Sequence, residues 1–233
     1  MPTLRRSTDR STTYPGDRPE ADGHRTMNIP PDHYPAELSC TAEGRDGAIV
    51  HLRPIRSDDG DRLTEFHEGL STQSVYRRFF FVHPKLSAVE IEKFTHVDYR
   101  DRLALVATDD DRLIAVGRYE RIPGTQEAEV AFVVADEFQH RGIATLLLEH
   151  LAAAALDHGI TTFAAETLAE NRDMIDVFMK SGFHVTANYQ YGTMTVRFPI
   201  EPDEGYRATC AARHHKLEDA PLEDGRLEDG AQG

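Results

Sequence analysis

Cysteine is nearly missing from this chain: Cys40 and Cys210 are the two thiols in 233 residues. Two thiols make neither a disulfide framework nor a metal cluster, so a reducing cytoplasm is the expected compartment. The histidines show no ligand spacing, the His214-His215 pair falls in a polar tail, and no metal site is assigned. Long apolar runs are missing too. Leu146–Leu156 is interrupted by Glu149 and His150 and is too short to span a bilayer, so no membrane association is expected. The basic residues near the N-terminus have no apolar stretch behind them, and a secretory signal is not expected. Positive charge is in deficit: 26 Lys and Arg stand against 40 Asp and Glu, a formal net charge of -14. Such a surface repels a phosphate backbone, which weighs against nucleic acid as a partner. An anionic cofactor is still admissible, because backbone amides bind phosphate without any net positive charge.

What the chain does have is concentrated between residues 46 and 200. Residues 1–45 are rich in Pro, Gly, Ser, Thr, Asp and Arg without periodicity, and read as a mostly disordered tail that orders near Tyr34–Leu38. Residues 201–233 read as an acidic disordered tail, with Leu-Glu-Asp triplets at 217, 222 and 227. Between them, strands are expected over 48–54, 103–107, 113–119, 127–134, 161–165, 183–186 and 192–198. Helices are expected over 58–70 with Ser57 as cap, over 74–82 and 87–94 around Pro84, over 142–157, and over 172–181 with Gly182 as a left-handed C-cap. The order predicts an α/β (α+β) domain with one mixed sheet of about seven strands flanked by helices.

The most informative segment runs from Ala131 to Thr145, where a strand feeds a short turn that opens into an amphipathic helix. Gly142 lacks a Cβ and Ala144 is small, so a ligand can approach the backbone there. The unpaired amides of a first helical turn and the helix dipole suit a pyrophosphate. Arg141 would add charge and Thr145 a hydroxyl. The glycine patterns of the dinucleotide and nucleoside-triphosphate loops are both absent. On its own the string Gln139-x-x-Gly142-x-Ala144 fits either a phosphate turn or an ordinary strand-to-helix connection.

Over about residues 48–198 the chain resembles the GNAT (GCN5-related N-acetyltransferase) superfamily. Gln139, Gly142 and Ala144 match its Gln/Arg-x-x-Gly-x-Gly/Ala motif, and Glu170–Met174 with Phe178–Phe183 look like the segment after its fifth strand, ending in Gly-Phe. Ser74–Phe80, Val97–Tyr99 and Leu103–Ala107 are similar to the catalytic domain of bacterial, including actinobacterial, protein lysine acetyltransferases. The resemblance implies the GNAT fold and an acetyl-CoA-dependent N-acyltransferase. Its acceptor would be a lysine side chain of a protein, an acyl-CoA synthetase being one such partner. The same chemistry on a small amine, or a non-catalytic acyl-CoA-binding domain, stays open. Either a monomer or a homodimer fits.

Acyl transfer to an amine requires a base, because a lysine ammonium (pKa ~10.4) has no lone pair to attack with. The resemblance implies that base in Glu129, against the plainer reading of a solvent-facing strand glutamate. It also implies coenzyme A contacts at Phe132, Val133 and Val134 on the strand, with the Val134 amide polarising the carbonyl. The pyrophosphate would sit at Gln139, His140, Arg141, Gly142, Ile143, Ala144 and Thr145. Asn171 fits the family asparagine that contacts the cofactor arm and equally fits an N-cap; it can serve both. Many relatives carry a tyrosine acid where this chain has Phe178, so the thiolate must leave unprotonated, through water or by another group; Tyr189 and Tyr191 are near in sequence only. Arg77 and Arg78 are read either as solvated or as facing an acidic acceptor, and the aromatics 76–81 as mostly core.

Overall fold

The computed structural model describes residues 34–206; Cys210, His214-His215 and the acidic triplets, named above, lie outside that range. Eight strands form a single sheet in the order β1-β2-β3-β4-β5-β6-β8-β7. They are β1 Cys40–Glu43, β2 Ile49–Pro54, β3 Arg102–Asp109, β4 Arg112–Arg121, β5 Glu127–Val134, β6 Thr162–Leu168, β7 Thr186–Gln190 and β8 Thr193–Pro199. Every neighbouring pair is antiparallel except β5–β6, which is parallel. Parallel pairing needs a crossover; α4 (Ile143–Asp157) supplies it. The remaining helices are α1 Gly60–Glu68, α2 Thr72–Phe79, α3 Ala88–Thr95 and α5 Arg172–Met179.

Strand alternation sorts the core into two layers, as period-2 side chains must. Leu103, Leu105 and Ala107 of β3 with Ala128, Val130 and Phe132 of β5 face α4 and the buried Phe178 of α5. Ala104, Val106, Leu113 and Val116 face Leu63, Phe66, Leu70 and Val75 on the α1–α2 side. Helices therefore cover both faces, and the cost of ordering this chain is met by two apolar layers rather than one.

Several local expectations need correction. The eighth strand, β1, lies in the stretch read as tail, and Cys40 within it places its Sγ 3.1 Å from His150 Nε2. Four residues give too short a pattern to read, and they pair only because β2 lies beside them. Ser57 does not cap α1; it belongs to a 3-10 turn (Ser57–Asp59) in which Asp59 accepts from the Arg56 amide. α2 starts at Thr72, capped by Ser71, rather than at Ser74, and stops at Phe79 because Phe80 is left-handed (φ 64°). α5 ends at Met179 with Lys180 as C-cap, so Gly182, expected as the cap, is left-handed (φ 96°) but sits two residues past the cap. Tyr34, by contrast, does order against the sheet: its hydroxyl donates to Pro54 O (3.1 Å) and its ring meets Tyr99 edge-on.

Candidate active site

The parallel β5–β6 pairing is short. Glu127, Ala128 and Glu129 pair with Thr162, Phe163 and Ala164, and beyond them the strands part, while β4 stays paired with β5 as far as Val134. The split opens a cleft of about 240 Å³ whose walls come from both layers: α2 on one side, the start of α4 and α5 on the other. Alternation of the antiparallel ladder fixes which peptide groups face it. Ala135 N–H donates to Ile114 O (2.8 Å), so the Val133 peptide, two residues back, points at β4, and those of Val134 and Phe132 turn toward the opening. Val133 therefore offers the cleft its side chain, and its main chain serves the sheet.

The turn after β5 closes one end of this cleft. His140 (φ 64°) and Gly142 (φ 85°) are both left-handed, and Gly142 is the N-cap of α4 with no side-chain capping bond. The amides of Ile143 and Ala144 have no carbonyl one turn earlier to bond, so they face outward at the positive end of a 15-residue helix. Gly142 has little alternative here: a Cβ would come within 3.0 Å of Arg45 Cγ, at a φ that side chains rarely adopt. Gln139 turns inward, its Nε2 donating to Val134 O (3.2 Å) and Ser74 Oγ (3.1 Å), and so ties the turn to β5 and α2. Ile143, Ala144 and Thr145 are buried and line the cleft. Arg141 does not line it; its guanidinium lies 3.3 Å from Asp46 and over the Phe138 ring. Arg45 takes that place instead, brought there by the β1–β2 connection, where its amide bonds Arg141 O (2.8 Å).

Glu129 is exposed, lines the cleft and sits at the last position of β5 that pairs with β6, where the split begins. Its face also carries Arg118 and Glu120 of β4, the latter directly opposite it. Arg78 of α2 lines the same cleft; burial pushes its guanidinium pKa down, and the Glu129 charge acts in the other direction. Arg118, stacked on Phe94, is pushed down to about 9 by burial and by Arg78 beside it. Arg78 is thus half-buried at the cleft, and Arg77 bridges to Asp173 of α5 (3.2 Å) across it. The aromatic cluster is less buried than expected: Tyr76, Phe80 and Phe81 are exposed, and Phe80 lines the cleft.

Asn171 is buried, caps α5 by accepting from Met174 N–H (3.3 Å), and lines the cleft, so both of its readings are compatible with one position. Phe178 is buried in the cleft wall against Phe132 and Phe198, where no proton donor is available from its ring. Tyr189 and Tyr191 are exposed and do not line the cleft. Sequence reasoning passed over Arg45, Glu166 and Thr167. Arg45 stands in the segment read as tail. Glu166 and Thr167 lie just past the end of the strand drawn at Ala165, although the alternation continues through Leu168.

Among the described residues no helix is long and apolar enough to cross a membrane. The model of the acetyltransferase (GNAT) family matches residues 70–183. The GNAT domain of S. lividans PAT shares 43% identity with the chain at a TM-score of 0.68, covering 71% of this chain and 99% of that one. An acetyltransferase of Pseudomonas aeruginosa is 30% identical over 142 residues, 59% of this chain and 76% of the relative. Acetyltransferase Pat of Mycolicibacterium smegmatis is 33% identical over 141 residues, but the match spans 42% of that protein's length. With an eight-stranded sheet split after the third parallel pair and a glycine-capped helix at the split, the chain belongs to the GNAT acetyltransferase family and is an acyl-CoA-dependent N-acyltransferase.

Proposed function

We propose that this chain transfers the acetyl group of acetyl-CoA directly to a lysine side-chain amine of a protein, with Glu129 as general base and an acyl-CoA synthetase as one candidate acceptor. The observation that carries the reading is the position of Glu129. It stands where β5 and β6 part, in one continuous cleft with the amides of Ile143 and Ala144. When bound, the thioester supplies an activated acyl carbon and a thiolate leaving group. The diphosphate would lie against Gly142–Thr145, with Arg45 close by and Gln139 holding the turn in shape. The arm would run along the free edge of β5 at Phe132 and Val134, where the Val134 N–H polarises the carbonyl. Glu129 accepts the proton that the amine loses as the new C–N bond forms and the C–S bond breaks. Phe178 gives no proton, so the thiolate departs as the anion or takes its proton from water.

The protein acceptor is favoured by the similarity to S. lividans PAT, which covers nearly all of that domain. Glu129→Gln keeps size and removes basicity. It is expected to lower kcat by about a hundredfold or more while coenzyme A affinity, measured by calorimetry, stays near the parent value. Full turnover in that variant contradicts the assignment. Labelled acetyl-CoA offered to candidate synthetases and to a panel of polyamines, amino acids and aminoglycosides decides the acceptor. Label on protein supports the proposal, label confined to small amines replaces it with the second chemistry, and binding without transfer makes the domain a non-catalytic binder.

A further inference from the structure

Thr167 is 1% exposed, and its Oγ1 makes no hydrogen bond to any protein atom in the described structure. A buried hydroxyl without a partner costs stability that folding does not recover, so its presence calls for a physical reason. Its placement offers one. Thr167 lines the cleft. It shares the inward face of β6 with Phe163 and Ala165, and its cross-strand neighbour Met194 packs against the same layer. Continuing the Glu129–Ala164 register brings Thr167 level with Phe132 across the split. Phe132 is, with Val134, one of the residues whose peptide faces the opening, and Phe178 packs against its ring. The two lips of the cleft at this level are then a free peptide on β5 and a free hydroxyl on β6.

We infer that Thr167 is a binding residue for the acyl donor, its hydroxyl hydrogen-bonding an amide of the coenzyme A arm as that arm passes between β5 and β6. The inference rests on the acyl-CoA reading of the cleft. A hydroxyl both donates and accepts, so it suits an amide in either orientation. Because the contact is with the arm and not with the acyl group, free coenzyme A and acetyl-CoA should depend on it equally. Valine has nearly the shape of threonine and lacks only the hydroxyl, which makes the two possible roles of the group separable by sign. A hydroxyl that serves the fold loses stability on removal; one held ready for a ligand does not.

Two measurements on full-length Thr167→Val and Thr167→Ser proteins test this. Without ligand, the valine variant is expected to melt no lower than the parent. By calorimetry it should bind coenzyme A and acetyl-CoA each about tenfold more weakly, with the serine variant close to the parent. Valine binding both ligands as tightly as the parent overturns the inference and leaves the enzymatic reading intact. So does a valine variant that melts well below the parent while serine restores it, because the hydroxyl then serves the fold. A parent that takes up no coenzyme A overturns both together.

Discussion

Asp59 has no exposed surface, and its carboxylate is held by Arg53 from two nitrogens (2.6 and 2.8 Å) and by the Arg56 amide (2.8 Å). Burial alone would raise its pKa, but the bonds from Arg53 and Arg56 outweigh it and hold the carboxyl below the usual range. Removing one partner of a buried pair leaves the other charge without compensation, at a cost of about 3–5 kcal/mol. Asp59→Ala is therefore expected to lower stability by about 3 kcal/mol in denaturant titration. A folded pKa below the unfolded one means the stabilisation is complete above the ordinary aspartate value of ~3.9 and is lost as pH falls below it. A second residue-scale expectation concerns Gly142. Gly142→Ala forces a side chain to φ 85° against Arg45. It should cost roughly 1–2 kcal/mol of stability and weaken coenzyme A binding, while Gly124→Ala, with open space around it at a similar φ, should cost stability alone. At this scale the sequence was legible where chemistry is tied to local spacing. Gln139, Gly142, Ala144 and Asn171 fall at the cleft because they are fixed to one strand end or one helix start. Arg78 was not legible, because whether an arginine on an amphipathic helix is solvated or buried depends on what packs across from it.

At the scale of elements, the cleft depends on how α2 is fastened to the turn. Asp136, just past β5, accepts from the Ser71 N–H (2.9 Å), the Ser71 hydroxyl (2.6 Å) and the Ser74 hydroxyl (2.8 Å). Burial works against ionisation there, yet the Ser71 and Ser74 bonds hold the Asp136 pKa below its usual value. Ser71 also caps α2, so one carboxylate positions the helix that carries Arg77 and Arg78 and leads into the rim aromatic Phe80. Asp136→Ala should cost roughly 1–2 kcal/mol, the scale of a lost helix cap. It should also speed amide exchange across 71–79 without changing exchange in β3. The element order was readable because strand and helix periods alternate cleanly between 48 and 198. Boundaries were less so: the left-handed Phe80 and the Ser71 cap are settled by contacts to Asp136 and by the packing of the chain after α2, neither of which is written in local periodicity.

For the whole molecule, the decisive feature is a sheet that is continuous from β1 to β5 and then splits, so that one cleft reaches both helical layers. On the acyl-transfer reading proposed above, the acyl donor would enter from the α4–α5 side and the amine from the α2 side, with Glu129 between them. The family resemblance pointed to this architecture from the turn and the Gly-Phe segment, but β1 and Arg45 could only be placed once β2 was seen to pair on both edges. On the proposed reading, main-chain amides at the start of α4 hold the diphosphate of coenzyme A. Titrating acetyl-CoA into the full chain in a calorimeter measures that hold. Saturable uptake at one site per chain, weakened in Gly142→Ala, is the expected result; heat indistinguishable from dilution in the parent protein would overturn the diphosphate site.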